Sequence, residues 1–198
     1  MNRNSSGFTI IELVLAMTFF SFVMIAAISG IIFVNQLYFK TRTTVQAQST
    51  ARSILENIEQ SIRSSGAIIS PVSTGTTDIF GTPNEAVEFT CIGAERYTFV
   101  RGTSKMDRDV SSTGCAVDID ASDNVSLLNE ALTIQDLSIT SVGNASDTYQ
   151  VEVFIAGGSE ELLASGNGIF DGTQCSGSVE DGSQFCATAR LKAIVSAR

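Results

Sequence analysis

A long apolar run near the start of this chain limits what it can become. Leu13 to Phe39 contains no charged residue, and between Arg3 and Lys40 the only ionisable side chain is Glu12. The run holds no proline and exceeds the roughly 20 residues that carry a helix across the hydrocarbon core of a bilayer. It is therefore expected to form a transmembrane helix. Arg3 and the starting amine precede the run, with no acid before Glu12. That bias keeps the N-terminus cytoplasmic and exports the chain beyond Phe39, although Lys40 and Arg42 lie on the far side. A cleavable signal peptide could use Ala27-Ile28-Ser29, but the apolar run continues from Gly30 through Phe39 without a break.

Composition narrows the function classes. The net charge is −9, from 12 basic and 21 acidic residues. A chain this acidic repels phosphate backbones, so a broad nucleic-acid face is not expected. There is no histidine. This removes the commonest general base and transition-metal ligand, and no other residue set nominates a nucleophile with its base. No enzymatic activity and no cofactor are expected. The four cysteines, Cys91, Cys115, Cys175 and Cys186, form no C-x-x-C pair. Their even number beyond a membrane segment fits two disulfides in an oxidising compartment.

Glu12 is the odd residue. A carboxylate at the mouth of a membrane segment is costly and usually marks function. It lies in Gly7-Phe8-Thr9-Ile10-Ile11-Glu12-Leu13, behind the short polar leader MNRNSSG. The string GFTIIELVLAM resembles the leader junction of type IV prepilins and of type II secretion pseudopilins. The resemblance implies that a prepilin peptidase cuts between Gly7 and Phe8 and then N-methylates Phe8. It implies that Glu12 compensates the new amine, that of a neighbouring subunit, inside the filament core. Opposite charges there attract strongly, and either alone is expensive to bury. The partners implied are other pilin or pseudopilin subunits, the peptidase, and membrane lipid before assembly. The implied location is the membrane, then a cell-surface or periplasmic filament.

Beyond Phe39 the helical pattern continues without a breaker. Lys40 to Ser65 has no glycine or proline, and Ala47, Ala51, Ile54, Leu55, Ile58 and Ile62 trace one helical stripe. Arg52 and Glu56, and Glu59 and Arg63, stand four apart on the polar side. Gly66 and Pro71 are placed to stop the helix. One helix from about Phe8 to Ser65 would be roughly 85 Å long. Ser29-Gly30 is a point of expected flexibility within it. The stretch QSTARSILENIEQSIRSSG also resembles the PilW- or GspJ-type minor subunits.

From Ala67 onward the period switches to two. Val87, Phe89 and Cys91 alternate with Glu88, Thr90 and Ile92, and Gly93-Ala94-Glu95 reads as a hairpin turn into Tyr97, Phe99 and Arg101. Further strands are expected near Leu137 to Val142, over Tyr149 to Ile155, and over Arg190 to Val195. Exposed loops are expected at Ser73–Asn84, Lys105–Gly114, Asp118–Asn124 and Gly166–Ser183. Asp107-Arg108-Asp109 reads as a charged surface turn and Gly157-Gly158 as a turn after a strand.

The expected organisation is a leader (1–7), an apolar helix (8–39), its amphipathic continuation (40–66) and an extracytoplasmic β-rich domain (67–198). The fold class is α+β, and the resemblance implies the pilin fold: a long helix packed on an antiparallel sheet with disulfide-stapled loops. Of the three possible cysteine pairings, Cys91–Cys115 with Cys175–Cys186 is preferred, the second enclosing the loop Ser176–Ser183. Asp118, Asp120, Asp123 and Asn124 suggest oxygen ligation of calcium, but the glycine and distal glutamate of an EF-hand are missing. A solvated acidic loop is the better reading, and no metal is expected. The competing function is a membrane-tethered extracytoplasmic binding domain that does not polymerise.

Overall fold

The computed structural model describes residues 9–65, 70, 72–77, 80, 85–110, 125–143, 147–158, 163, 170–175 and 185–197. Gly7, Phe8, Gly66, Pro71, Cys115, Asp118, Asp120, Asp123 and Asn124 lie outside these residues. The chain divides into two compact units, Met1–Phe39 and Lys40–Arg198. One helix, α1 (Ile10–Ser65), contributes to both.

In the first unit α1 is helical throughout, passing through Ser29 and Gly30 without interruption. All its large apolar side chains are exposed, with Ile10 at 85% and Phe22 at 80%. Thr18, Ser21 and Ser29 donate their hydroxyls to the carbonyls of Leu15, Met17 and Ile25, each at 2.9 Å. Such back-bonding lets hydroxyls reside in an apolar medium without an external partner.

The second unit builds its core on the other part of α1. The expected stripe of Ala47, Ala51, Ile54, Leu55, Ile58 and Ile62 is buried. Two antiparallel sheets complete this core, where one sheet was expected. The first has five strands in sequence order: β1 (Ser73–Thr77), β2 (Glu85–Ile92), β3 (Glu95–Phe99), β4 (Met106–Val110) and β5 (Val125–Ser126). The second has three: β6 (Leu132–Ser141), β7 (Thr148–Gly157) and β8 (Ala187–Ser196). The architecture is α+β.

In the five-stranded sheet, Ile92, Tyr97, Phe99 and Met106 pack with the helix residues. The register puts Val87, Phe89 and Cys91 on the other face, with Arg96, Thr98, Asp107 and Asp109. Both faces carry buried side chains, so the pleat produces no clean alternation of burial. In the three-stranded sheet β8 alternates, whereas the end of β7 from Val153 to Gly157 is buried on both faces. Leu132, Ile134, Leu137, Ile139, Val151, Val153, Ile155, Ala189 and Val195 all enter the main core.

Two expected loops contain strands. Ser73–Thr77 lies in the expected loop Ser73–Asn84 and is held as β1 by its register with Glu85–Phe89. Asp107-Arg108-Asp109, expected as a surface turn within Lys105–Gly114, forms the middle of β4. Met106 is fully buried and Asp109 retains only 6% of its surface, directly across from Arg96. Of these three charges, Asp109 faces an opposite charge, Arg96, on the neighbouring strand, which no local pattern reveals. Three expected strands are longer than their apolar cores: β6 begins at Leu132, β7 spans Thr148–Gly157, and β8 spans Ala187–Ser196. Gly157 is therefore the last residue of β7, and Gly158 comes next with φ of 144°.

The two sheets are joined within the unit. Gly102 N–H donates to the Ile134 carbonyl at 2.7 Å, and Ile134 N–H donates to the Thr103 carbonyl at 2.9 Å. Arg101 bridges the same seam, pairing with Glu88 of β2 and with Asp136 of β6, the latter at 2.8 Å. Its guanidinium is held above its ordinary pKa, first by the Glu88 hydrogen bond. Beside it, β6 carries a bulge between Ile134 and Asp136.

A smaller apolar cluster stands apart from the main core. Phe154, Ala156, Leu163, Phe170 and Cys186 form it, with Cys175 packed against them. The disulfide Cys175–Cys186 is present as expected. Cys91 is also disulfide-bonded.

Candidate functional site

In the first unit, α1 opens at Thr9. The backbone N–H of Glu12 donates to the Thr9 carbonyl at 3.1 Å and to Thr9 Oγ1 at 3.4 Å. Thr9 is thus the N-cap, and Glu12 occupies the third helical position, the T-x-x-E spacing of a capping box. Sequence reasoning missed Thr9, although the spacing is visible in the string Thr9-Ile10-Ile11-Glu12. The negative side chain lies in the first turn, where the helix dipole favours it. Among the described residues the Glu12 carboxylate has no partner. This end of α1 therefore offers a single carboxylate on a helical segment, up to Phe39, that is exposed, apolar and otherwise uncharged.

The helix is long and apolar enough to cross a membrane, and its most apolar stretch is not buried among the described residues.

In the second unit three polar side chains, Ser61, Glu95 and Tyr97, form a clamp. Ser61 Oγ, on α1, hydrogen-bonds the Glu95 carboxylate and lies 2.8 Å from the Tyr97 hydroxyl. Tyr97 in turn donates to Glu95 at 3.0 Å. Burial pushes the Tyr97 hydroxyl up to about 12. A serine beside a carboxylate can suggest a nucleophile and its base. Ser61, however, keeps only 4% of its surface, and it lines neither groove found along the helix. The trio ties α1 to the β2–β3 hairpin.

On the opposite face of that sheet the Arg96 guanidinium stacks 4.8 Å from the Phe89 ring. Burial lowers its pKa, and the Asp109 carboxylate opposes that shift. Burial also raises the Asp107 carboxyl, against a hydrogen bond from Ser126. No group of three or more metal-ligating side chains occurs among the described residues.

An open groove of about 580 Å³ runs between α1 and β8. Val45, Ser49, Arg52 and Glu56 line its helical wall, and Thr188 to Leu191 line the strand wall. The expected pair Glu59–Arg63 forms at 3.2 Å. Arg52 and Glu56 make no such pair among the described residues, and both side chains remain exposed to the groove.

Glu12 lies in the first unit, whereas Cys91, Cys175 and Cys186 lie in the second. Comparison with known protein families, with curated proteins and with solved structures gives no match.

Proposed function

We propose that this chain is a filament subunit of the type IV pilin or type II secretion pseudopilin class, with the character of a minor subunit. In this reading it is made with a short leader, cut between Gly7 and Phe8, methylated at Phe8, and assembled through α1. It rests in the membrane with its N-terminus cytoplasmic and its β-rich unit exported. Assembly then moves the apolar helix from lipid into a core of like helices.

One observation carries the reading. A wholly exposed apolar helical segment bears one carboxylate in its first turn, and the same helix continues as the core element of an α+β unit. A simple membrane anchor needs the apolar segment but gains nothing from Glu12, which costs free energy in lipid. A subunit that meets a neighbour's amine has a use for it. The internally bonded hydroxyls of Thr18, Ser21 and Ser29 also suit an apolar surround, whether lipid or neighbouring helices.

The test is recovery of the chain in filaments purified from cells that produce it, with its peptides identified by mass spectrometry. The expected result is co-purification with intact filaments through repeated washing. Recovery only as a dispersed membrane protein, under conditions where other subunits polymerise, would favour a tethered domain.

A further inference from the structure

The two sheets of the second unit have four outer edges, and three of them are blunted. β1 is short and polar, β5 has two residues, and β6 is bulged and engaged by the Gly102–Thr103 turn. The fourth edge, β8, has ten residues, pairs with β7 along its whole length, and contains no proline. Among the described residues no strand pairs with its outer side. An edge this long and regular presents a ladder of backbone donors and acceptors that a further strand can complete.

The groove beside this edge gives the incoming strand a seat and a charge preference. Its strand wall is Thr188 to Leu191, and its helical wall carries Val45 and Arg52. Lining charges are Arg52 and Arg190 against Glu56, a positive balance in a chain whose net charge is −9. Arg190 is partly occupied, lying 3.5 Å from Glu152 and stacked over the Phe154 ring. Arg52 has no ion-pair partner among the described residues. It is the cation free to receive a carboxylate. Lys192, which also pairs with Glu152, extends the basic character along β8.

We infer that β8 is a docking edge for an extended acidic segment of another protein, which adds as a fourth strand and places a carboxylate on Arg52. Backbone pairing supplies the affinity, and the carboxylate contact supplies the selectivity. A second copy of this chain is the less suitable occupant. Its own β8 carries Arg190 and Lys192, which would bring like charges together along the joined edges.

The experiment uses the full chain in detergent micelles and a fluorescein-labelled peptide alternating valine with glutamate. Fluorescence anisotropy gives the affinity, and amide hydrogen exchange locates the site. Saturable binding is expected, with new protection of β8 amides and weakening as salt rises. The same peptide with lysine in place of glutamate should bind at least about tenfold more weakly, as should the original peptide to Arg52→Glu, the loss of one charge-assisted contact. Ser49→Trp, which fills the groove, should weaken binding without relying on charge. The inference is overturned by any of three results: no saturable binding, equal binding of the lysine peptide, or binding that leaves β8 amides unprotected. Protection of β8 amides by self-association of the chain alone would also overturn it, by making a second copy the occupant.

Discussion

Glu12 and Tyr97 are the two residues whose chemistry makes the sharpest predictions. For Glu12, the assembly role and the capping role part company on substitution. Glu12→Ala should leave the protein inserted in the membrane, since it removes the costly group of the segment. A helix-end effect alone would cost a few tenths to about 1 kcal/mol at the first turn. A buried partner amine left uncompensated would cost about 3–5 kcal/mol, enough to deplete the variant from filaments. Quantifying the variant in membrane and filament fractions separates the two. Entry into filaments equal to that of the parent would leave Glu12 only its capping role. Tyr97 is fully buried in the clamp with Ser61 and Glu95, and its hydroxyl is pushed up from 10.0 to about 12. A raised pKa means the folded state holds this proton more tightly than the unfolded chain does. The associated stability is fully present below pH 10, and it is lost as pH rises through about 12. The loss should approach about 2–3 kcal/mol by the linkage relation. Chemical denaturation of the full chain across that window checks it, with Tyr97→Phe as the control that should flatten this part of the pH dependence. A parent whose stability is level across the window would refute the role given to this proton.

At the scale of the elements, two junctions are tight enough to test by single changes. Gly93 turns the β2–β3 hairpin at φ of 61°, and a Cβ there would lie 2.5 Å from Cβ of Ser65 at the end of α1. Gly93→Ala should therefore destabilise the second unit by about 2–4 kcal/mol, combining left-handed strain with the clash. A thermal or denaturant midpoint unchanged from the parent would contradict the close approach of helix end and hairpin. The Cys175–Cys186 bridge supports the small cluster around Phe154 and Phe170. Replacing both cysteines with serine should cost about 2–4 kcal/mol. It should raise hydrogen exchange near Phe170 before it affects the strands of the main core. Whether an element is legible in the sequence depends on where its causes lie. The stripe from Ala47 to Ile62 could be read because period and burial agree along one helix. The hairpin at Gly93 could be read because its turn chemistry is local. The strand β4 could not, because Asp109 is accommodated by Arg96 on a neighbouring strand and Met106 by the main core. Nor could β1, whose sequence STGTT becomes a strand only by pairing with β2. For the candidate sites the same division holds. Glu12 stood out against its uncharged surroundings, whereas Thr9 was missed although its capping spacing stands in the sequence. The groove at β8 exists only once helix and sheet edge are brought together.

At the scale of the whole molecule, the sequence of α1 serves two environments along one helix. Up to Phe39 its apolar side chains are exposed and suit lipid or other helices; beyond Lys40 an apolar stripe packs with the chain's own sheets. In the proposed function, such a chain resides in a membrane first and then transfers its apolar segment to a core of helices. The resemblance at Gly7-Phe8 gives that proposed transfer a covalent signature. Glu12 can meet a neighbour's terminal amine in the proposed way only if the leader has been removed. Intact-mass measurement of the protein purified from the membrane of a cell with a prepilin peptidase reads this directly. The expected mass is that of a chain that begins at Phe8 and carries one added methyl group on its amine. A chain that retains Met1 through Gly7, or one cut downstream near Gly30 as a signal peptide would be, contradicts it.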